Sequence, residues 1–279
     1  MQVIRSLSQM MQLAYPAGKS VGFIPTMGYL HRGHLSLVQA SKKECDITVA
    51  SIFVNPAQFG PKEDLSSYPR DIERDLKELE KLGVDYVFIP SEAMIYPEGF
   101  DTWVQVQRLS QILCGNSRPG HFKGVCTIVL KLINIVRPDK MFMGEKDYQQ
   151  LMILRKMMHD LNLKTKIVAC PIVRETDGLA MSSRNSYLST SDRALALCLF
   201  KALKEARQAV SEGKTDAHML IALAKQTIRI AGANVDYVEI LDERDLSEQE
   251  IIDEHSRMLI AAYVGKTRLI DNLSLKPEN

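Results

Sequence analysis

Short β-branched and apolar runs alternate with helical patterns through the first 174 residues. Residues 21–25 predict a strand and residues 35–44 a helix. Residues 47–54 (ITVASIFV) are apolar at nearly every position, the pattern of a strand covered on both faces. A helix is predicted over 70–82, where Ile72, Leu76 and Leu79 fall at helical spacing and Gly83 supplies the stop. A strand at 84–89, an apolar helix at 125–136, a short strand at 140–143, a helix at 148–161 and a strand at 166–173 complete the series. Such alternation implies a parallel sheet wrapped by helices.

The pattern changes after a loop at 174–188. Ser189-Thr190-Ser191-Asp192 has the character of a capping box and opens a helix expected to run to Gly213. A second helix opens at Thr215 and stops near Gly232, and strand-like runs follow at 235–241, 258–264 and 268–275. Helices followed by strands read as a separate, smaller α+β domain. The expected division is therefore an α/β domain over residues 1–174 and an α+β domain over 175–279. A lid role for the second domain, hinged at the loop between them, is one hypothesis.

Composition changes this picture little. Of 279 residues 46% are apolar and 25% charged, enough for a core that needs neither disulfides nor metals. A net charge of +1 creates no field for nucleic acid or a membrane surface, so neither is expected as a partner. The halves differ, with 22 Lys and Arg against 17 Asp and Glu up to Arg174, and 13 against 17 beyond it. A basic first half suits an anionic ligand, and ordinary compositional scatter explains it equally well. Five scattered cysteines (Cys45, Cys114, Cys126, Cys170, Cys198) with no CxxC pair read as reduced thiols, not as a disulfide framework or zinc site. The first residues carry no apolar run of signal-peptide length, and no stretch approaches the roughly 18 apolar residues of a membrane span. A cytoplasmic location is the expectation.

The most informative stretch is Pro25-Thr26-Met27-Gly28-Tyr29-Leu30-His31-Arg32-Gly33-His34, between a predicted strand and a predicted helix. Gly28 and Gly33 permit unusual backbone angles and close approach of a ligand. His31 and His34, three residues apart, project from one face of a first helical turn. A helix N-terminus offers unpaired N–H groups and partial positive charge, so it draws anions, and imidazole donors there suit phosphate oxygens. The segment is neither a Walker loop nor a GxGxxG fingerprint. Histidines that merely cap or pack the helix are the plainer alternative. A metal pair would require a nearby Cys or carboxylate to complete it.

Three other loops carry candidate chemistry. Asn55-Pro56-Ala57-Gln58-Phe59-Gly60 follows a buried strand, where open parallel sheets bind ligands, and Gln58 offers both donor and acceptor to a small hydroxy acid. A plain Asn-Pro turn is the alternative. Gly144-Glu145-Lys146-Asp147-Tyr148-Gln149-Gln150 joins a strand to a helix; Asp147 is a candidate cap and Lys146 a mobile charge for a phosphate. Met181-Ser182-Ser183-Arg184-Asn185 places two hydroxyls and a guanidinium in the interdomain loop, suited to phosphate or simply a Ser-rich linker. Arg118 and His121 in Arg-Pro-Gly-His-Phe add positive charge without a distinct role, and the carboxylates Asp71, Glu73 and Asp75, with Arg74 among them, leave any protein metal ligand unassigned.

Together, PTMGYLHRGH, FVNPAQFGPKEDLSSYPR, RPGHFKGV, GEKDYQQL and DGLAMSSRN resemble the pantoate–β-alanine ligases, members of the HxGH nucleotidylyltransferase superfamily. The five motifs stand in the family's order over residues 25–185. The resemblance implies a Rossmann-like N-terminal domain that binds ATP and pantoate. It implies ATP contacts from Met27, Gly28, Tyr29, Leu30, His31, Arg32, Gly33 and His34. Gly144, Glu145, Lys146, Asp147, the backbone of Val173, Met181, Ser182, Ser183 and Arg184 join that set. Asn55, Gln58 and Gln150 are implied as contacts of pantoate and β-alanine, and His34, His31, Lys146 and Arg184 as the catalytic residues. The implied reaction runs through pantoyl adenylate and releases AMP and pyrophosphate. Mg²⁺ accompanies ATP with no protein ligand assigned, and the enzyme is a homodimer. Two rivals are a nucleotidyltransferase with a phosphorylated acceptor, which the neutral Asn55/Gln58/Gln150 set suits poorly, and a nucleotide sensor without catalysis.

Overall fold

Six strands lie in one sheet in the computed structural model, which describes residues 1–61 and 63–276. They are β1 (Gln2–Ile4), β2 (Val21–Thr26), β3 (Ile47–Ile52), β4 (Tyr86–Phe88), β5 (Lys140–Gly144) and β6 (Lys166–Cys170). Their spatial order is β1-β4-β3-β2-β5-β6, and every neighbouring pair is parallel. β3 is buried at all six positions, as its apolar run requires. The chain builds outward from β2 through β3 to β4, then returns to place β5 on the other side of β2. Ligands of open parallel sheets bind beyond the strand ends at such a reversal. The two histidines follow β2, and Gly144-Glu145 ends β5.

The helix Arg32–Glu44 packs its Leu37 and Val38 into a core shared with Ile24, Ala50, Ile52 and Val87. It begins three residues before the expected position because His31 serves as its cap. The helix His121–Val136 likewise starts four residues early, after Gly120 in the left-handed region. β6 stops at Cys170, short of the expected 173, since Pro171 has no N–H for the ladder.

The chain forms two compact units, the first Met1–Glu145 with Ile153–Pro171 and the second Lys146–Met152 with the chain from Ile172 onward. The second unit holds the antiparallel sheet β7 (Asn234–Asp242), β8 (Ser256–Val264) and β9 (Thr267–Ser274), in the order β7-β8-β9. Two helices, Cys198–Ser211 and Ala217–Ile230, pack small and aliphatic residues (Ala202, Leu203, Ala206, Leu220, Ala224) against Val238, Ile260 and Ala262 of that sheet. The single helix expected from Ser189 to Gly213 is two, Thr190–Ala196 and Cys198–Ser211. Leu197 between them keeps right-handed helical angles, so no breaker residue marks the interruption. No helix among the described residues is long and apolar enough to cross a membrane.

Candidate active site

The turn after β2 is held from within. Gly28 and Tyr29 both take positive φ, +82° and +51°, so the chain doubles back on itself there. A Cβ on Gly28 would stand 3.0 Å from Ile52 and 3.1 Å from the Asp75 carboxylate, so the position requires glycine for space as well as for angle. Asp75, fully buried in the helix Ile72–Lys81, accepts the N–H of Tyr29 at 2.6 Å and of Leu30 at 2.7 Å. Its neighbour Arg74 stacks 4.2 Å over the Tyr29 ring and donates to the Leu30 carbonyl at 3.3 Å.

His31 then caps the next helix. Its Nδ1 accepts the Gly33 N–H at 3.1 Å, while His34 Nδ1 accepts the His31 N–H at 3.4 Å, a reciprocal pair with ring centroids 4.0 Å apart. A neutral imidazole that accepts at Nδ1 carries its proton on Nε2, so each ring is set up as an Nε2–H donor. Capping through Nδ1 and donation from Nε2 are chemically compatible in this arrangement.

This geometry corrects the expectation of unpaired amides. The N–H of Gly28 donates to Thr26 Oγ1, those of Tyr29 and Leu30 to Asp75, that of His31 to His34, and that of Gly33 to His31. The polar side chains of this turn are the half-buried His31 and His34 and the exposed Arg32. In the acidic stretch Asp71 caps its helix through the Arg74 N–H, and Asp75 holds two amides. Among the described residues no three His, Cys, Asp or Glu gather as a metal set.

The Asn55 turn stands in the same unit. Asn55 is 1% exposed. Its Oδ1 accepts from the Tyr96 hydroxyl at 2.7 Å and the Ala57 N–H at 3.3 Å, while Nδ2 donates to the Gly124 carbonyl and Gln58 Oε1, both at 3.1 Å. Both donors and both acceptor sites of the Asn55 amide are engaged within the protein, one of them on Gln58. Burial pushes the Tyr96 phenol up to about 12, so it remains a donor at neutral pH. Gly124 permits this packing, because a Cβ there would collide with the Ala57 carbonyl. Gln58 Nε2 lies 3.0 Å from Met27 Sδ, which brings this turn against the histidine turn.

Arg118 and His121 acquire a role that their charge alone did not suggest. His121 Nδ1 donates to the Gln58 carbonyl at 2.8 Å, and Arg118 donates to the same oxygen at 3.2 Å. Arg118 also pairs in two places with Glu63, at 2.7 and 2.5 Å. Burial works against the Glu63 charge, but Arg118 and the Gly60 N–H outweigh it and hold the carboxyl below its ordinary range. These residues hold Gln58 by its backbone. Sequence reasoning missed this brace, and missed Asp75 as the pin of the histidine turn, because each acts on main-chain atoms of a distant segment.

Gly144 and Glu145 belong to the first unit. In the second unit, Lys146 Nζ lies 3.5 Å from the exposed Asp147 carboxylate. Tyr148 and Gln149 are buried, and Gln150 is half-buried on the following helix, Tyr148–Asp160. The Tyr148 hydroxyl donates to the Glu243 carbonyl at 2.8 Å. The half-buried Val173 accepts the Met181 N–H at 3.0 Å, which sets the start of the serine turn. Ser182 caps the short helix Ser183–Tyr187 by accepting the Arg184 N–H at 3.3 Å, and Ser183 is buried. Asn185 supports this turn from behind, donating to Glu175 at 2.9 Å and to the Ala180 carbonyl at 3.1 Å.

Comparison with known proteins agrees over nearly the whole chain. Residues 1–274 match the family described as Pantoate-beta-alanine ligase. A pantothenate synthetase of Thermosipho africanus is 49% identical over 276 residues, covering 98% of this chain and 99% of that protein. Among solved structures, pantothenate synthetase from Thermus thermophilus superposes with a TM-score of 0.95 at 42% identity, covering 99% of this chain and all of that one. Pantoate-beta-alanine ligase from Francisella tularensis, complexed with beta-gamma ATP and beta-alanine, gives 0.84 at 36% identity, covering 99% and 98%. With both histidines, Gln58, Lys146 and the Ser182 turn standing in the matched region, the chain belongs to the pantoate–β-alanine ligase family and is a ligase.

Proposed function

We propose that this enzyme joins pantoate to β-alanine in two steps. The pantoate carboxylate attacks the α-phosphorus of ATP, forming pantoyl adenylate and releasing pyrophosphate. The β-alanine amine then attacks the activated carbonyl, forming the amide and expelling AMP. The protein's part in the first step is positioning and electrostatic stabilisation more than covalent chemistry. Gln58 and Gln150 bind pantoate, with Asn55 orienting Gln58. His31 and His34 donate from Nε2 to oxygens on the α-phosphate, where negative charge builds in the transition state. Lys146, Ser182, Ser183 and Arg184 neutralise and hold the phosphates that leave. Mg²⁺ travels with the ATP phosphates, and no carboxylate of the chain is assigned to it. A cytoplasmic homodimer completes the proposal.

The observation that carries the reading is the reciprocal cap of His31 and His34, which commits both Nδ1 atoms to the backbone. Two neutral Nε2–H donors on one helical turn suit an oxyanion developing on phosphorus. Chromatography of the nucleotide products tests it: with ATP, pantoate and β-alanine the expected products are AMP, pyrophosphate and pantothenate in equal amounts. Formation of ADP and inorganic phosphate instead would mean an acyl-phosphate route and overturn the adenylate.

A further inference from the structure

Two adjacent residues of β9, Asp271 and Asn272, are 4% and 2% exposed, and neither lies in any motif singled out above. Each ties a different segment to the sheet. Arg174 makes a two-point pair with Asp271, at 2.6 and 2.9 Å, and also donates to the Gly178 carbonyl at 3.1 Å. Arg174 and Ala180 form the antiparallel bridge of a small hairpin, and Met181 follows it directly into the Ser182 turn. Asn272 Nδ2 donates to the carbonyl of Lys146 at 2.9 Å, while its Oδ1 accepts from Arg257 at 2.8 Å. Arg257 in turn lies 4.1 Å over the ring of Tyr148. The Asn272 N–H donates to Asp271 Oδ1 at 2.8 Å, joining the two anchors into one buried network.

We propose that Asp271 and Asn272 are positioning residues for phosphate handling, holding the Lys146 segment and the Ser182 hairpin in one frame. The proposal rests on the reading of Lys146 and Ser182–Arg184 given above. A side-chain amide bonded to a neighbouring segment's carbonyl controls where that segment's side chain starts, and an error near 1 Å at a reacting group can cost about 10² in rate. A buried network of linked hydrogen bonds holds such a geometry with little slack. Asn272 thus acts through Lys146, and the fixed Lys146 carbonyl keeps the ammonium in register with the hydroxyls of the serine turn.

A double-mutant cycle on the full-length enzyme tests this, with pantoate-dependent pyrophosphate–ATP exchange as the rate and circular dichroism as the check on folding. Lys146→Ala, Asn272→Ala and the double variant are compared with the wild type. The expected result is a loss of about tenfold or more for Asn272→Ala, and a double variant within about twofold of Lys146→Ala alone. A merely structural role for Asn272 would make the two losses multiply, and that result overturns the proposal. So does a folded Asn272→Ala that exchanges within twofold of wild type. Where Asn272→Ala fails to fold, Asn272→Asp carries the same cycle, since it keeps the volume and the acceptor for Arg257 while setting a carboxyl oxygen, in place of the donor, against the Lys146 carbonyl. If Lys146→Ala itself is near wild type, the phosphate reading falls and takes the proposal with it. If Lys146→Ala is impaired but uncoupled to Asn272, only the frame falls.

Discussion

The His31 turn and the Ser182 turn are built alike and supported differently. In each, an extended residue caps a helix by accepting the N–H two residues on, at 3.1 Å for His31 and 3.3 Å for Ser182, although the first helix runs to Glu44 and the second only to Tyr187. Behind the first stands a fully buried carboxylate, Asp75, bonded to two main-chain amides. Behind the second stands Asn185, tied to Glu175, which pairs with Arg193 at 3.0 Å in a partly exposed cluster that also includes Asp177. Buried charge on backbone amides is insensitive to salt and leaves costly orphans when broken, whereas exposed ion pairs are worth little and are screened. The first turn is therefore preorganised and the second more adaptable.

The largest effect that sharpens this contrast is on the histidines. Replacing one oxyanion donor typically costs about 10²–10³ in rate, and His34→Ala is expected to lose at least that much while remaining folded. A folded variant with near-full activity would remove the histidine turn from the chemistry. Next comes Asp75→Asn, which sets an amide against two N–H donors. One donor left unsatisfied costs about 1–3 kcal/mol, so a clear fall in melting temperature should accompany a loss of kcat. Unchanged melting would show that the carboxylate is not the pin.

Smaller effects belong to the serine turn. Glu175→Gln is expected to cost below about 1 kcal/mol, and the wild-type pairing should weaken as salt rises, while the Asp75 contacts do not. Equal costs for Asp75→Asn and Glu175→Gln would erase the distinction between the turns. The smallest effect is in acid. Burial opposes the Asp177 charge, but the Leu179 N–H and Arg193 outweigh it, so its folded pKa lies below the ordinary value. A depressed carboxyl contributes stability above its unfolded pKa of about 3.9 and loses it as pH falls through the folded value. The difference in melting temperature between wild type and Asp177→Asn should thus stay constant from pH 8 to 5 and vanish only below about pH 4. A difference that collapses near pH 6 would point to another group.

Much of this was legible in the chain because the motifs are contiguous. Val21 to His34 reads as strand, turn and helix, and the apolar run ending in Asn55 marks the next strand. What remained hidden acts across long separations. Asp75 lies some forty residues from the amides it holds, and Arg118 and His121 reach back to the Gln58 carbonyl. Neither link has a period or spacing. β1, three residues with only Ile4 buried, was too short to carry an alternating pattern and is defined by pairing with β4. The turn at a helix N-terminus was legible but its wiring was not, since such amides are normally unpaired, and here those of Tyr29, Leu30, His31 and Gly33 are taken by Asp75, His34 and His31. Asp271 and Asn272 read as ordinary positions of a terminal strand, although they anchor two of the motifs.

Exchange of labelled pyrophosphate into ATP tests carboxylate activation most directly, because it isolates the first step. With pantoate present and β-alanine absent, the wild-type enzyme should catalyse exchange, and omitting pantoate should abolish it. Exchange that requires β-alanine, or that occurs only with a phosphorylated acceptor, would contradict the adenylate mechanism.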